Sequence, residues 1–66
     1  MNVAFDLAAL QTDGVITAKE RRVLELANRG LGDRSISLAL GISRGAVRDR
    51  RKNAIRKIEL HRNEAA

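Results

Sequence analysis

An all-α chain of four helices is predicted by three observations. The 66 residues include no proline, five glycines and a single aromatic, Phe5, a composition that suits short helices and is poor for sheets. Good capping residues, Asn2, Thr17, Asp33 and Ser43, each stand ahead of apolar residues at helical spacing. Glycines at 14, 30 and 41 fall where those runs end.

Asn2 is placed to cap a first helix over residues 3–11. In this N-terminal arm (1–14), Val3, Leu7 and Leu10 share one face with Ala4 and Ala8 beside them, until Asp13-Gly14 breaks it. The stripe is expected to pack on the chain's own core, because so small a domain needs the area, with a dimer contact as the alternative. Phe5 lies off the centre of the stripe, either a partner contact or a plug at the core edge. Thr17-Ala18-Lys19-Glu20 has the form of a capping box and starts a second helix over 17–29. Val23, Leu24, Ala27 and Leu31 follow at helical spacing, Lys19, Arg22, Glu25 and Arg29 take exposed positions, and Gly30 closes the helix. Asp33 is expected to cap a third helix over 33–40, with Ile36, Ala39 and Leu40 inward and Gly41 ending it.

Leu40-Gly41-Ile42-Ser43 then reads as the tight turn of a helix-turn-helix. Gly41 accepts positive φ, Ile42 is an apolar plug, and Ser43 caps a last helix over 44–60. Val47, Ala54, Ile55 and Ile58 are predicted on its inner side, and Asp49, Lys52, Asn53 and Arg56 broadly opposite, with Arg48 beside them. Arg51 falls close to the Val47 and Ile58 side, so its stem is expected on apolar surface and its guanidinium outward or on an acid. Residues 61–66 are expected as a frayed tail beyond a core of 15–60, the whole chain (1–66) forming one domain.

Between Arg44 and Ile58 seven basic residues face the single acid Asp49, a net +6 where the whole chain carries +5. A pI near 11.1 with the bases on one helix points to a polyanion, of which nucleic acid is the commonest. With no aromatic beyond Phe5 there is no stacking platform for single-stranded bases, which favours duplex DNA over RNA. The same lack of aromatics in the basic helix, and of any apolar run of bilayer length, argues against a membrane partner. Met1-Asn2-Val3 followed by Asp6 does not resemble a secretion signal, so a cytoplasmic, nucleoid-associated location is expected. No cysteine is present, and the one histidine, His61, sits in the tail. Ser35, Ser37 and Ser43 have no base arranged beside them, and Gly30-Leu31-Gly32-Asp33 lacks the spacing of a phosphate loop. Neither an enzyme nor a cofactor is expected.

From Ile16 to Ile58 the chain resembles the DNA-binding domain of LuxR-type regulators. Thr17 and Glu20, Val23-Leu24, Leu26, Gly30, Ile36, Leu40, Ile42-Ser43 and Val47-Arg48 match without a gap. It is also similar to the promoter-reading C-terminal domain of sigma factors through Glu20–Leu26, Leu40–Arg44, Val47-Arg48 and Ala54–Ile58. Both resemblances imply a last helix (44–58) lying in the major groove with Arg44, Gly45, Arg48 and Asp49 facing bases. The chain departs from the sigma-like pattern at Gly45, where a base-reading side chain is usual, at Asp49, where an amide is usual, and at Arg50, where an aliphatic residue or histidine is typical.

The expected function is sequence-dependent binding of duplex DNA by a small transcriptional regulator, bacterial or phage. Arg44 and Arg48 would contact base edges or flanking phosphates, Asp49 would tune base choice, and Lys52, Asn53 and Arg56 would hold the backbone. The competing reading is a protein-interaction module that docks on RNA polymerase or another regulator. A homodimer is a further expected option, since a domain of this size is marginal as a monomer.

Overall fold

The computed structural model describes residues 6–65, which form α1 (Leu7–Thr12), α2 (Ala18–Asn28), α3 (Asp33–Leu40) and α4 (Arg44–Ala65), with no strand among the described residues. The fold is all-α, as the composition predicts. Expectations placed on Asn2, Val3, Ala4 and Phe5 lie outside the described residues.

Helix starts follow the capping side chains, with two corrections. α1 begins at Leu7, later than expected, because Asp6 has a non-helical ψ of 88° and its carboxylate accepts the Ala9 amide proton at 3.1 Å. A residue in that conformation ends the helix in the N-terminal direction. α2 starts as predicted: Thr17 Oγ1 accepts from the Glu20 amide at 3.1 Å, and Glu20 Oε1 accepts from the Thr17 amide at 2.8 Å. α3 is the second correction. Gly32, which offers no side-chain bond, is its cap, and Asp33 is its first helical residue. The Asp33 carboxylate is instead drawn to the Arg51 guanidinium, a charged partner stronger than an amide.

The ends of α2 and α3 share one device. Gly30 and Gly41 take φ of 91° and 67°, a region costly for any residue with a Cβ. Each lets the next residue reach back, Leu31 N–H to Leu26 O at 3.2 Å and Ile42 N–H to Ser37 O at 3.1 Å, while its apolar side chain returns to the core. α1 closes in the same way through Val15 N–H to Leu10 O at 2.9 Å.

Two apolar clusters result, and α4 belongs to both. Val23, Leu26, Ile36 and Val47 join α2, α3 and the start of α4. Leu7, Ile16, Leu24, Ala54 and Ile58 join α1 and α2 to its middle. Leu7 and, partly, Leu10 thus pack on the chain's own core. Arg21 links the same helices, donating to Gln11 on α1 and to Glu25 one turn along α2.

Three further expectations are corrected. Ala39 is exposed and Ser37 buried, because α3 packs along a stripe of Ile36, Ser37 and Leu40, one position off the predicted one. Ile55 is 44% exposed: the buried residues of α4 are Val47, Ala54 and Ile58, and a step of about 100° from Ala54 carries Ile55 out to the edge. The last helix runs past its expected end at residue 60. α4 continues to Ala65, since residues 59–65 contain neither glycine nor proline to stop it.

Candidate nucleic-acid interface

Three residues, Gly41 to Ser43, separate α3 from α4. Ser43 Oγ accepts from the Ala46 amide at 3.0 Å and Ser43 O from the Val47 amide at 3.1 Å, so the predicted cap sets where α4 begins. Val47, fully buried against Ile36 and Val23, sets its rotation. With start and rotation both determined, Arg44, Gly45, Arg48, Asp49, Lys52, Asn53 and Arg56 are all exposed. The structure therefore places every predicted contact residue on open surface of one helix, in four successive turns. Arg50, on the flank, is half-buried.

Not all the positive charge of α4 points outward. Arg51 Nη1 and Nη2 both donate to Asp33, the second bond measuring 3.3 Å, so this arginine clamps α4 to α3. Arg51 lines an apolar groove together with Ile58, on the side of α4 where its helical phase puts it. Lys57 Nζ lies 3.0 Å from each oxygen of Glu20 and ties α4 to the first turn of α2. The Lys57–Glu20 link was not visible in the sequence, because it joins positions 37 apart on different helices.

Glu20 is the one buried acid among the described residues, 6% exposed. Burial pushes its carboxyl up, but the Thr17 amide, the Lys57 ammonium and the Thr17 side chain outweigh that and hold it below its ordinary value of 4.5. Its charge belongs to the scaffold and does not face the outer side of α4. Among the described residues no group of His, Asp or Glu is arranged to hold a metal ion, and no helix is long and apolar enough to cross a membrane.

Residues 14–66 match the family described as bacterial regulatory proteins, luxR family. The chain belongs to the luxR family. That match includes α2, α3, α4 and the turn that orients them, and a luxR-family domain of this kind is a DNA-binding module of transcription regulation. No curated protein and no solved structure matches the chain.

Proposed function

We propose that this protein reads duplex DNA in a sequence-dependent way by laying α4, residues 44–58, in the major groove, and that it regulates transcription in the cytoplasm of a bacterium or in a phage-infected cell. The observation that carries the reading is the exposed row of Arg44, Arg48, Lys52 and Arg56 on a helix whose start and rotation are set by Ser43 and Val47. Arg44 and Arg48, in the first turns, meet base edges or the adjoining phosphates. Asp49 accepts from an exocyclic amine, and Gly45 leaves room for the backbone to approach. Lys52, Asn53 and Arg56, one to two turns on, hold phosphates. Pairing removes Arg51 and Lys57 from this set.

Selection from a random duplex pool, followed by a salt titration on the selected sequence, tests the proposal. A defined motif should emerge, and log affinity should fall linearly with log salt at a slope of ~0.9 per neutralised phosphate. An affinity indifferent to salt would overturn it in favour of docking on RNA polymerase or another regulator.

A further inference from the structure

Three ion pairs redistribute the charge of this chain. Glu20 is paired with Lys57, Asp33 with Arg51 and Glu25 with Arg21, so every acid of α2 and α3 is matched, two of them by bases of α4. The other acids, Asp6, Asp13, Asp49, Glu59 and Glu64, stand on or beside α1 or on α4. Lys19 and Arg22 on α2 and Arg29 at its C-terminal cap are exposed and have no acidic partner among the described residues. A second basic surface thus remains outside α4.

Its position separates it from the outer side of α4. At about 100° per residue, Arg22 and Arg29 share one phase of α2, roughly opposite Glu20, Val23, Leu24 and Ala27, which turn toward the core. Leu24 packs with Ala54 and Ile58 of α4, and Val23 with Val47. The two helices therefore meet by their inner sides, and their outer sides point in broadly opposite directions. Packed helices with axes about 8–10 Å apart, each about 10–12 Å across, put those outer sides about 20 Å from one another. That exceeds twice the Debye length of about 8 Å at physiological salt. A duplex on α4 is consequently out of reach of Arg22 and Arg29, and repulsion between duplexes on the two sides is largely screened.

We propose that Arg22 and Arg29, with Lys19 beside them, form a second phosphate-binding surface, by which a chain seated on one duplex through α4 holds a second duplex without regard to its sequence. The inference rests on the DNA-binding reading for the first duplex only. Charge complementarity selects the occupant. Lys19, Arg21, Arg22 and Arg29 against Glu25 leave a net +3 on this surface. Its outer stripe of Ala18, Arg22, Glu25 and Arg29 has no apolar side chain larger than alanine and no aromatic. It therefore lacks both the apolar centre of a protein interface and the stacking platform that single strands need. Phosphates require only accessible bases.

A capture experiment tests the proposal. The full chain is loaded on a bead-tethered duplex bearing its selected sequence, unbound protein is washed away, and a labelled duplex lacking that sequence is added. Wild-type protein should retain the labelled duplex, with a log-log salt slope of about 2–3 for about three phosphates. The double variant Arg22→Glu, Arg29→Glu should retain about tenfold less. Its helicity should be unchanged and its affinity for the tethered duplex should stay within about twofold of wild type. The double variant Arg22→Lys, Arg29→Lys should retain as much as the wild type, because a phosphate accepts lysine as a point charge. Affinity for the tethered duplex that falls in step with capture would put both surfaces on one duplex and overturn the proposal. So would capture unchanged in the glutamate variant, which would assign the second duplex to the α4 of another copy, or retention of labelled single-stranded RNA or polyglutamate in place of the duplex. If selection yields no motif but a tethered random duplex still captures through Arg22 and Arg29, the reading of α4 fails and the second surface stands. A selected motif without capture overturns the second surface alone.

Discussion

Six basic residues of α4 fall into two groups that differ in task and hardly at all in chemistry. Arg51 and Lys57 lie toward the body of the protein and are paired, one with Asp33 on α3 and the other with Glu20 on α2. Arg44, Arg48, Lys52 and Arg56 lie on the outer surface. Phase along the helix separates the groups, set by Val47 at one end and Ile58 at the other. Charge density therefore marks the right helix but not the right residues. A basic side chain within reach of a fixed acid contributes to the scaffold, and only those beyond such reach remain for a polyanion. If this division is correct, inward changes should move stability and leave the salt slope alone, and outward changes should do the reverse.

Replacement of the inward anchor should produce the largest effect. Ile58 is 2% exposed in the cluster with Leu7, Ile16, Leu24 and Ala54, so Ile58→Ala should cost about 2–5 kcal/mol in urea denaturation. Total stability for a chain of this length is only about 3–10 kcal/mol, and much of the protein should then be unfolded at 37 °C. The folded fraction should bind its DNA with an unchanged salt slope. A large drop in that slope would mean that the inward face also shapes the interface.

Outward changes come next. Arg48→Ala and Asp49→Ala should each alter base preference at one position, at about 1–3 kcal/mol of discrimination, as read by repeated selection on the variant. Lys52→Ala should weaken all sequences alike and lower the salt slope by about one phosphate. None should shift the melting temperature appreciably. If Asp49→Ala strengthens binding to every duplex equally, Asp49 acts through repulsion and does not read a base.

A smaller effect separates the neighbours Arg56 and Lys57. Lys57→Ala leaves Glu20 with only its capping bonds; because the lysine side chain is 45% exposed, water screens part of the loss, and about 1–2 kcal/mol is expected. Arg56→Ala should leave stability near the wild type and reduce DNA binding. The pair also has a pH signature. A carboxyl held below its ordinary 4.5 stabilises the fold fully above that value, and the contribution is lost as pH falls through the lower folded value. Acid denaturation of Lys57→Ala should consequently begin at higher pH than that of the wild type.

Local devices were legible in the sequence because they act over three to six residues. The Thr17–Glu20 capping box, the Ser43 cap and the closures at Gly30 and Gly41 need only neighbouring atoms. Pairings across the fold were not legible. Nothing local distinguishes Asp33 as a cap from Asp33 as the partner of Arg51, and nothing near Lys57 points to Glu20. Ile55 and Ala39 were misplaced for a related reason: a stripe of 3.6-residue period is broad at its edges, and packing against particular neighbours decides which edge is covered. The end of α4 is not legible because residues 59–65 carry no apolar stripe to mark a helix, whereas a helix that meets no breaker continues without one.

The smallest expected effect bears most directly on the outer face. Gly45 is an exposed residue in the first turn of α4, and its backbone does not require glycine: it is not among the residues of positive φ. A Cβ built there would meet only Ser43 Oγ at 3.9 Å, an ordinary contact. Glycine within a helix costs up to about 1 kcal/mol relative to alanine, so Gly45→Ala should stabilise the protein by roughly 0.5–1 kcal/mol and raise the melting temperature at about 4–8 °C per kcal/mol. The fold offers no reason for a glycine at this position, whereas a backbone that must come close to the duplex does. Gly45→Ala should accordingly melt higher and bind the selected sequence more weakly. A variant that melts higher and binds as well as the wild type would remove Gly45 from the interface, and with it the placement of the first turn of α4 against the bases.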